Sequence, residues 1–67
     1  MNFNHEEFIL MMLYNTGTRL GLIHELRLMQ CYLMPDETAL RELSEGVIEK
    51  LKLMTDAEFV ELEFTLD

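Results

Sequence analysis

Apolar positions recur at helical spacing along most of the chain. After Leu40 come Leu43, Val47, Leu51 and Met54, at steps of three or four residues, with Ile48 alongside. That is one helix face followed for about four turns. The opposite face carries Glu42, Glu45, Glu49, Lys50 and Lys52. An earlier stripe of Leu22, Leu26, Met29 and Leu33 has Ile23 and Gln30 beside it. Phe8–Tyr14 is apolar throughout, and periodicity alone does not separate a buried helix from a buried strand in so short a run. The residues before it decide for helix. Asn4 and Glu7 have capping-box spacing, and Phe3 and Phe8 flank them at staple positions. Met54, Thr55, Glu58 and Phe59 repeat the device, which we read as a shared way of starting a helix rather than a duplicated domain.

Turn residues divide these stripes. Asn15-Thr16-Gly17-Thr18 predicts a turn, with Asn15 or Gly17 left-handed and Thr16 or Thr18 as the next N-cap. Met34 precedes Pro35, so the second helix ends there or just before. Pro35 suits a first helical position, and Asp36 and Glu37 suit a first turn. The expected fold is all-α: one small domain over residues 1–67, a compact bundle of three to four short helices at about 4–14, 19–33, 36–54 and 56–62. Residues 60–66 alternate apolar and polar side chains, a strand pattern. No second strand-like segment offers a partner, so the expectation is a short helix running into an extended C-terminal tail. Arg41 and Glu45 are spaced as an i,i+4 pair. Gly21 and Gly46 interrupt helices, which implies a close neighbour or, at Gly46, a bend. Leu10, Met11, Ile23, Leu28, Leu53 and Phe64 fall off the main stripes; they complete the core or form a partner surface.

Composition narrows the function classes. The chain has 67 residues, 49% of them hydrophobic, with six Met. A core this small is marginal, and Met fills gaps without specifying packing. The single Cys31 cannot form an internal disulfide, and Glu6 and Glu7 precede the apolar run where a secretory signal would carry bases. Both lead us to expect a cytoplasmic location. No apolar run approaches the ~20 residues of a spanning helix, so no membrane association is expected. The net charge of −8 is uneven: residues 1–34 hold three acids and two bases, residues 35–67 ten acids and three bases. Direct nucleic-acid binding is therefore not expected, since phosphate neutralisation needs clustered cations. An acidic face suits solubility or a basic protein partner.

Candidate chemistry is sparse. His5, His24 and Cys31 are the only soft-metal ligand types, too few for a four-ligand zinc site. His24 reads as a surface or boundary residue and Cys31 as a small packing residue. No base is arranged to activate Cys31, and no glycine-rich phosphate loop is present. The chain is expected to be non-enzymatic, with no cofactor, no metal and no catalytic residue. Candidate partner-binding residues are Arg19, next to a turn where nothing local calls for a charge, and the acids Glu42, Glu45 and Glu49. The alternative for Arg19 is a surface residue or a partner for Glu25 or the acidic helix.

The order of motifs resembles the small transposon-encoded proteins of the transposon-transfer assisting family (TTRAP). The resemblance rests on Phe3 with Glu6-Glu7, on Tyr14-Asn15-Thr16-Gly17-Thr18-Arg19, on Arg41-Glu42-Leu43-Ser44-Glu45, and on the run from Lys50 to Phe59. It spans about residues 3–59. The Thr-Gly-Thr-Arg turn and the Met-Thr-Asp-Ala-Glu-Phe corner are its most specific parts. Family members often carry an acid where this chain has Asn15. The resemblance implies a gene on conjugative transposons of Gram-positive bacteria and a role in assisting element transfer. It supplies no catalytic residues. The reading that follows is a helical interaction module that contacts another protein. Two alternatives stay open: an acidic protein that mimics DNA and occupies a nucleic-acid-binding partner, and a homo-oligomer.

Overall fold

A computed structural model describes residues 3–62, and within them the capping signals become helix starts. The four helices are α1 His5–Tyr14, α2 Arg19–Cys31, α3 Thr38–Leu53 and α4 Asp56–Val60. At α1, Asn4 Oδ1 accepts the Glu7 N–H and Glu7 Oε1 accepts the Asn4 N–H, both at 2.8 Å. The Phe3 and Phe8 rings meet edge to face at 5.9 Å, forming the expected staple. Thr18 Oγ1 accepts the Gly21 N–H at the start of α2. At α4, Thr55 Oγ1 accepts the Glu58 N–H at 3.1 Å and Glu58 Oε1 accepts the Thr55 N–H at 2.9 Å. The Thr55 backbone N–H, and secondarily its hydroxyl, hold the Glu58 carboxyl below its ordinary value by bonding its charged form.

The helix ends are tighter than the pattern predicts. Helix α3 begins at Thr38, because Pro35 and Asp36 lie in a turn closed by the Glu37 N–H donating to the Met34 carbonyl at 3.0 Å. Proline's fixed φ suits the second position of such a turn. The Glu37 carboxylate reaches back to the Met34 N–H instead of capping the helix. Helix α2 stops at Cys31 rather than 33, as Tyr32 and Leu33 donate to carbonyls three residues back. Helix α4 stops at Val60 rather than 62 for the same reason, at Glu61 and Leu62. The tail expected beyond falls on residues 63–67, outside the described residues. Gly17, not Asn15, takes the positive φ, at 101°. The Asn15 side chain accepts the Gly17 N–H at 2.9 Å, a bond that a carboxylate at this position would also accept.

Helix α3 packs against both α1 and α2, which also touch each other. The core joins Phe3, Leu10 and Met11 to Leu22 and Leu26, to Val47, Ile48 and Leu51, and to Met54 and Phe59. Leu10 and Met11, off the main stripes in the sequence, are thus core residues. Leu28 and Leu53 remain exposed, Ile23 is half-buried, and Phe64 lies outside the described residues. Leu40 shares the α3 stripe yet is 36% exposed, because the first turn of α3 projects beyond the packed part of the bundle. Cys31 is exposed, not packed, since it sits at the end of α2.

Two polar contacts cross the core. Gln30 Nε2 donates to Ser44 Oγ at 2.8 Å, and that hydroxyl donates to the Arg41 carbonyl. Both side chains are buried and satisfied, as such groups must be. Glu7 is buried as well, and the same Oε1 that closes its capping box accepts from Lys50 Nζ at 2.7 Å. The Lys50 ammonium also lies 5.4 Å from the centre of the Phe3 ring. Lys50 therefore turns inward to α1, not outward to the solvated face. Among the described residues Arg41 and Glu45 form no ion pair; the pair on that face is Lys52–Glu49 at 3.9 Å.

The two helical glycines sit in opposite situations. A Cβ on Gly46 would meet Glu7 Oε2 at an ordinary 3.5 Å. A Cβ on Gly21 would overlap Thr16 Oγ1 and the capping Thr18 Oγ1, so the close neighbour there is the preceding turn rather than another helix. Gly46→Ala should stabilise the fold by about 0.5–1 kcal/mol through reduced backbone freedom. Gly21→Ala should destabilise it by about 1 kcal/mol, because displacing Thr18 loses a cap. Urea unfolding of the two variants checks the opposite signs.

Candidate functional site

Three regions of the surface come from the sequence candidates and their surroundings. The first is built on Arg19, which the Thr18 cap places at the start of α2. Its Nε donates to Asp56 Oδ1 at 2.8 Å and its Nη1 donates to the Leu51 carbonyl at 2.9 Å. Leu51 lies in the last turn of α3, where carbonyls lack partners within the helix. Arg19 thus covers a free carbonyl and ties the first residue of α4 to the first residue of α2. Its side chain is only 17% exposed, whereas that of Asp56 is 74% exposed. The hydrogen bond to the carbonyl therefore contributes more than the screened ion pair. The partner is Asp56, not Glu25. Beside this clamp Leu20, Phe59 and Val60 help to line an open groove of about 430 Å³.

The second region is the outer face of α3. Glu42, Glu45 and Glu49 are all exposed. Glu42 and Glu45 make no hydrogen bond or ion pair with described residues, and Glu49 has only the long contact to Lys52. The structure brings these three acids together on one face and keeps Arg19 away, committed to the α3–α4 corner.

The third region is a groove of about 510 Å³ where the end of α2 meets the start of α3. Sequence reading did not single it out. The available signal was the surplus of apolar residues outside the core stripe of α2. Asp56 and Lys50 were missed as well, since pairing across 37 and 43 residues leaves no local trace.

Among the described residues no three His, Cys, Asp or Glu side chains gather as a metal site. Every buried side-chain nitrogen or oxygen described has a hydrogen-bond partner. No helix among them is long and apolar enough to cross a membrane.

The family model described as "Putative transposon-transfer assisting protein" (TTRAP) matches residues 3–65, nearly the whole chain, and the chain belongs to that family. The match extends past the α4 corner, where the sequence motifs stopped, into the C-terminal segment. Neither a curated protein nor a solved structure matches the chain. Arg19 and Asp56 join the turn before α2 to the corner before α4, and both segments lie within the matched residues.

Arg19→Ala should lower unfolding free energy by about 1–2 kcal/mol, after allowance for the exposed Asp56. Arg19→Lys should restore less than half of that, because an ammonium cannot span both acceptors as a guanidinium does. Equilibrium denaturation measures both. Full stability in Arg19→Ala would show that the clamp is not structural.

Proposed function

We propose that this member of the transposon-transfer assisting family is a non-enzymatic interaction module, carried on a conjugative transposon, that assists transfer by binding another protein of the transfer or regulation machinery. The family name supports the biological context. One observation supports the mode of action: buried polar groups are occupied within the fold, while Glu42 and Glu45 stand exposed and unengaged by described residues beside Glu49. Carboxylates on a rigid helix face attract a basic surface and steer its approach. Lys52, close to Glu49, interrupts the row of negative charge. That favours a protein contact over an imitation of a phosphate backbone.

Transfer frequency of the parent element is the functional readout. Deleting the gene should lower it, and the wild-type chain should restore it. The triple variant Glu42→Lys, Glu45→Lys, Glu49→Lys should fold, yet fail both to restore transfer and to retain the partner recovered by affinity purification from the host cell. Full rescue with every specific partner still bound would sink the acidic-face contact. A partner displaced by DNA and released by modest salt would replace this reading with DNA mimicry.

A further inference from the structure

Helix α2 carries a second stripe that the bundle covers only in part, at Met29, which packs against the core. Glu25, Leu28, Met29 and Tyr32 recur at i, i+3, i+4 and i+7, the spacing of a single helix face. That face is rotated away from Leu22, Leu26 and Gln30, which enter the core. It forms one side of the 510 Å³ groove, and Glu37 and Leu40 contribute from the start of α3. Tyr32 is 85% exposed, and Leu28 and Leu40 are also exposed. The lining contains two carboxylates and no cation. Glu37 already accepts from Met34, whereas Glu25 bonds to no described residue. Arg27 and Arg41 adjoin Leu28 and Leu40 in sequence but do not line the groove.

We infer that this groove seats an amphipathic helical segment of a partner protein, with aliphatic anchors facing inward and Lys or Arg at its edges. The volume is within the range of sites that hold a few side chains, and helix-in-groove docking needs an apolar trough with a polar rim. The sign of the rim selects the occupant. A second copy of a chain with net charge −8 would bring carboxylates against Glu25 and Glu37, and like charges facing one another oppose association. A basic segment meets the same rim favourably. The inference shares with the proposed function the premise of a protein partner, but it uses a different surface.

The test titrates an isotope-labelled full chain with a synthetic helical peptide of Leu and Lys, Leu at i, i+4 and i+7. Its controls are a scrambled peptide and one with Glu in place of Lys. Amide shifts should cluster over residues 25–32 and 37–40. Leu28→Ser with Leu40→Ser, both exposed positions, should weaken binding by about ten-fold or more, as loss of central anchors does. Glu25→Lys should weaken it by roughly three- to five-fold, and the Glu peptide should bind at least about ten-fold more weakly than the Lys peptide. The Glu42, Glu45 and Glu49 triple variant should keep its affinity within about two-fold, since a rim charge on another face adds little; this separates failure here from failure of the acidic-face reading. Equal binding of the scrambled peptide, or shifts centred on the outer face of α3, would overturn the inference. So would concentration-dependent dimers whose contacts map to the groove, which would make a second copy the occupant.

Discussion

The Glu7 carboxylate holds together elements that nothing else joins so directly. One of its oxygens closes the capping box of α1 and takes the Lys50 ammonium of α3. Its other oxygen lies beside Gly46, at ordinary van der Waals distance from where a Cβ would stand. Phe3 covers the ammonium from above. A buried charge is costly unless paired and hydrogen-bonded, and here it is both. The ion pair therefore specifies more than it stabilises: it sets which face of α3 meets α1, and at what height. The Gln30–Ser44 bond does the same between α2 and α3. In a core rich in Met and Leu, which packs well in many arrangements, these two polar contacts select one.

The helices were legible in the sequence because their causes are local. Capping boxes at Asn4 and Thr55, the Thr18 cap and the glycine turn each act within four residues, and all formed as expected. The start of α3 was misjudged because Pro35 suits both a first helical turn and a β-turn. The choice fell to the Glu37 carboxylate, which bonds backward to Met34. Long-range pairing was not legible. Nothing near Lys50 distinguishes it from Lys52, yet one is tucked against α1 and the other faces solvent. Arg19 has no local reason for its charge, because its acceptors lie far along the chain at Leu51 and Asp56. Leu40 continues a core stripe in sequence and leaves the core in space, since periodicity reports a face and not what covers it.

The two surfaces proposed for contact differ in chemistry. The outer face of α3 is polar and rests on a rigid helix. The groove at the α2–α3 connection is apolar with an acidic rim and sits where two helix ends and a proline turn converge. Charge on the first speeds and orients an encounter; apolar burial in the second slows dissociation. A partner with a basic patch beside an amphipathic segment could use both without any change in the fold.

The Arg19 clamp also shapes how the molecule comes apart. Helix α4 has five residues and contributes one side chain, Phe59, to the core. Beyond that it is anchored by Asp56. Hydrogen bonds in so short a segment open at a fraction of the free energy of global unfolding. When α4 lifts, Arg19 loses one acceptor while keeping the Leu51 carbonyl, so α2 and α3 stay joined. The corner is thus a small cooperative unit of its own. Amide exchange there reports local breathing of the chain's last described helix, while the three-helix spine remains closed.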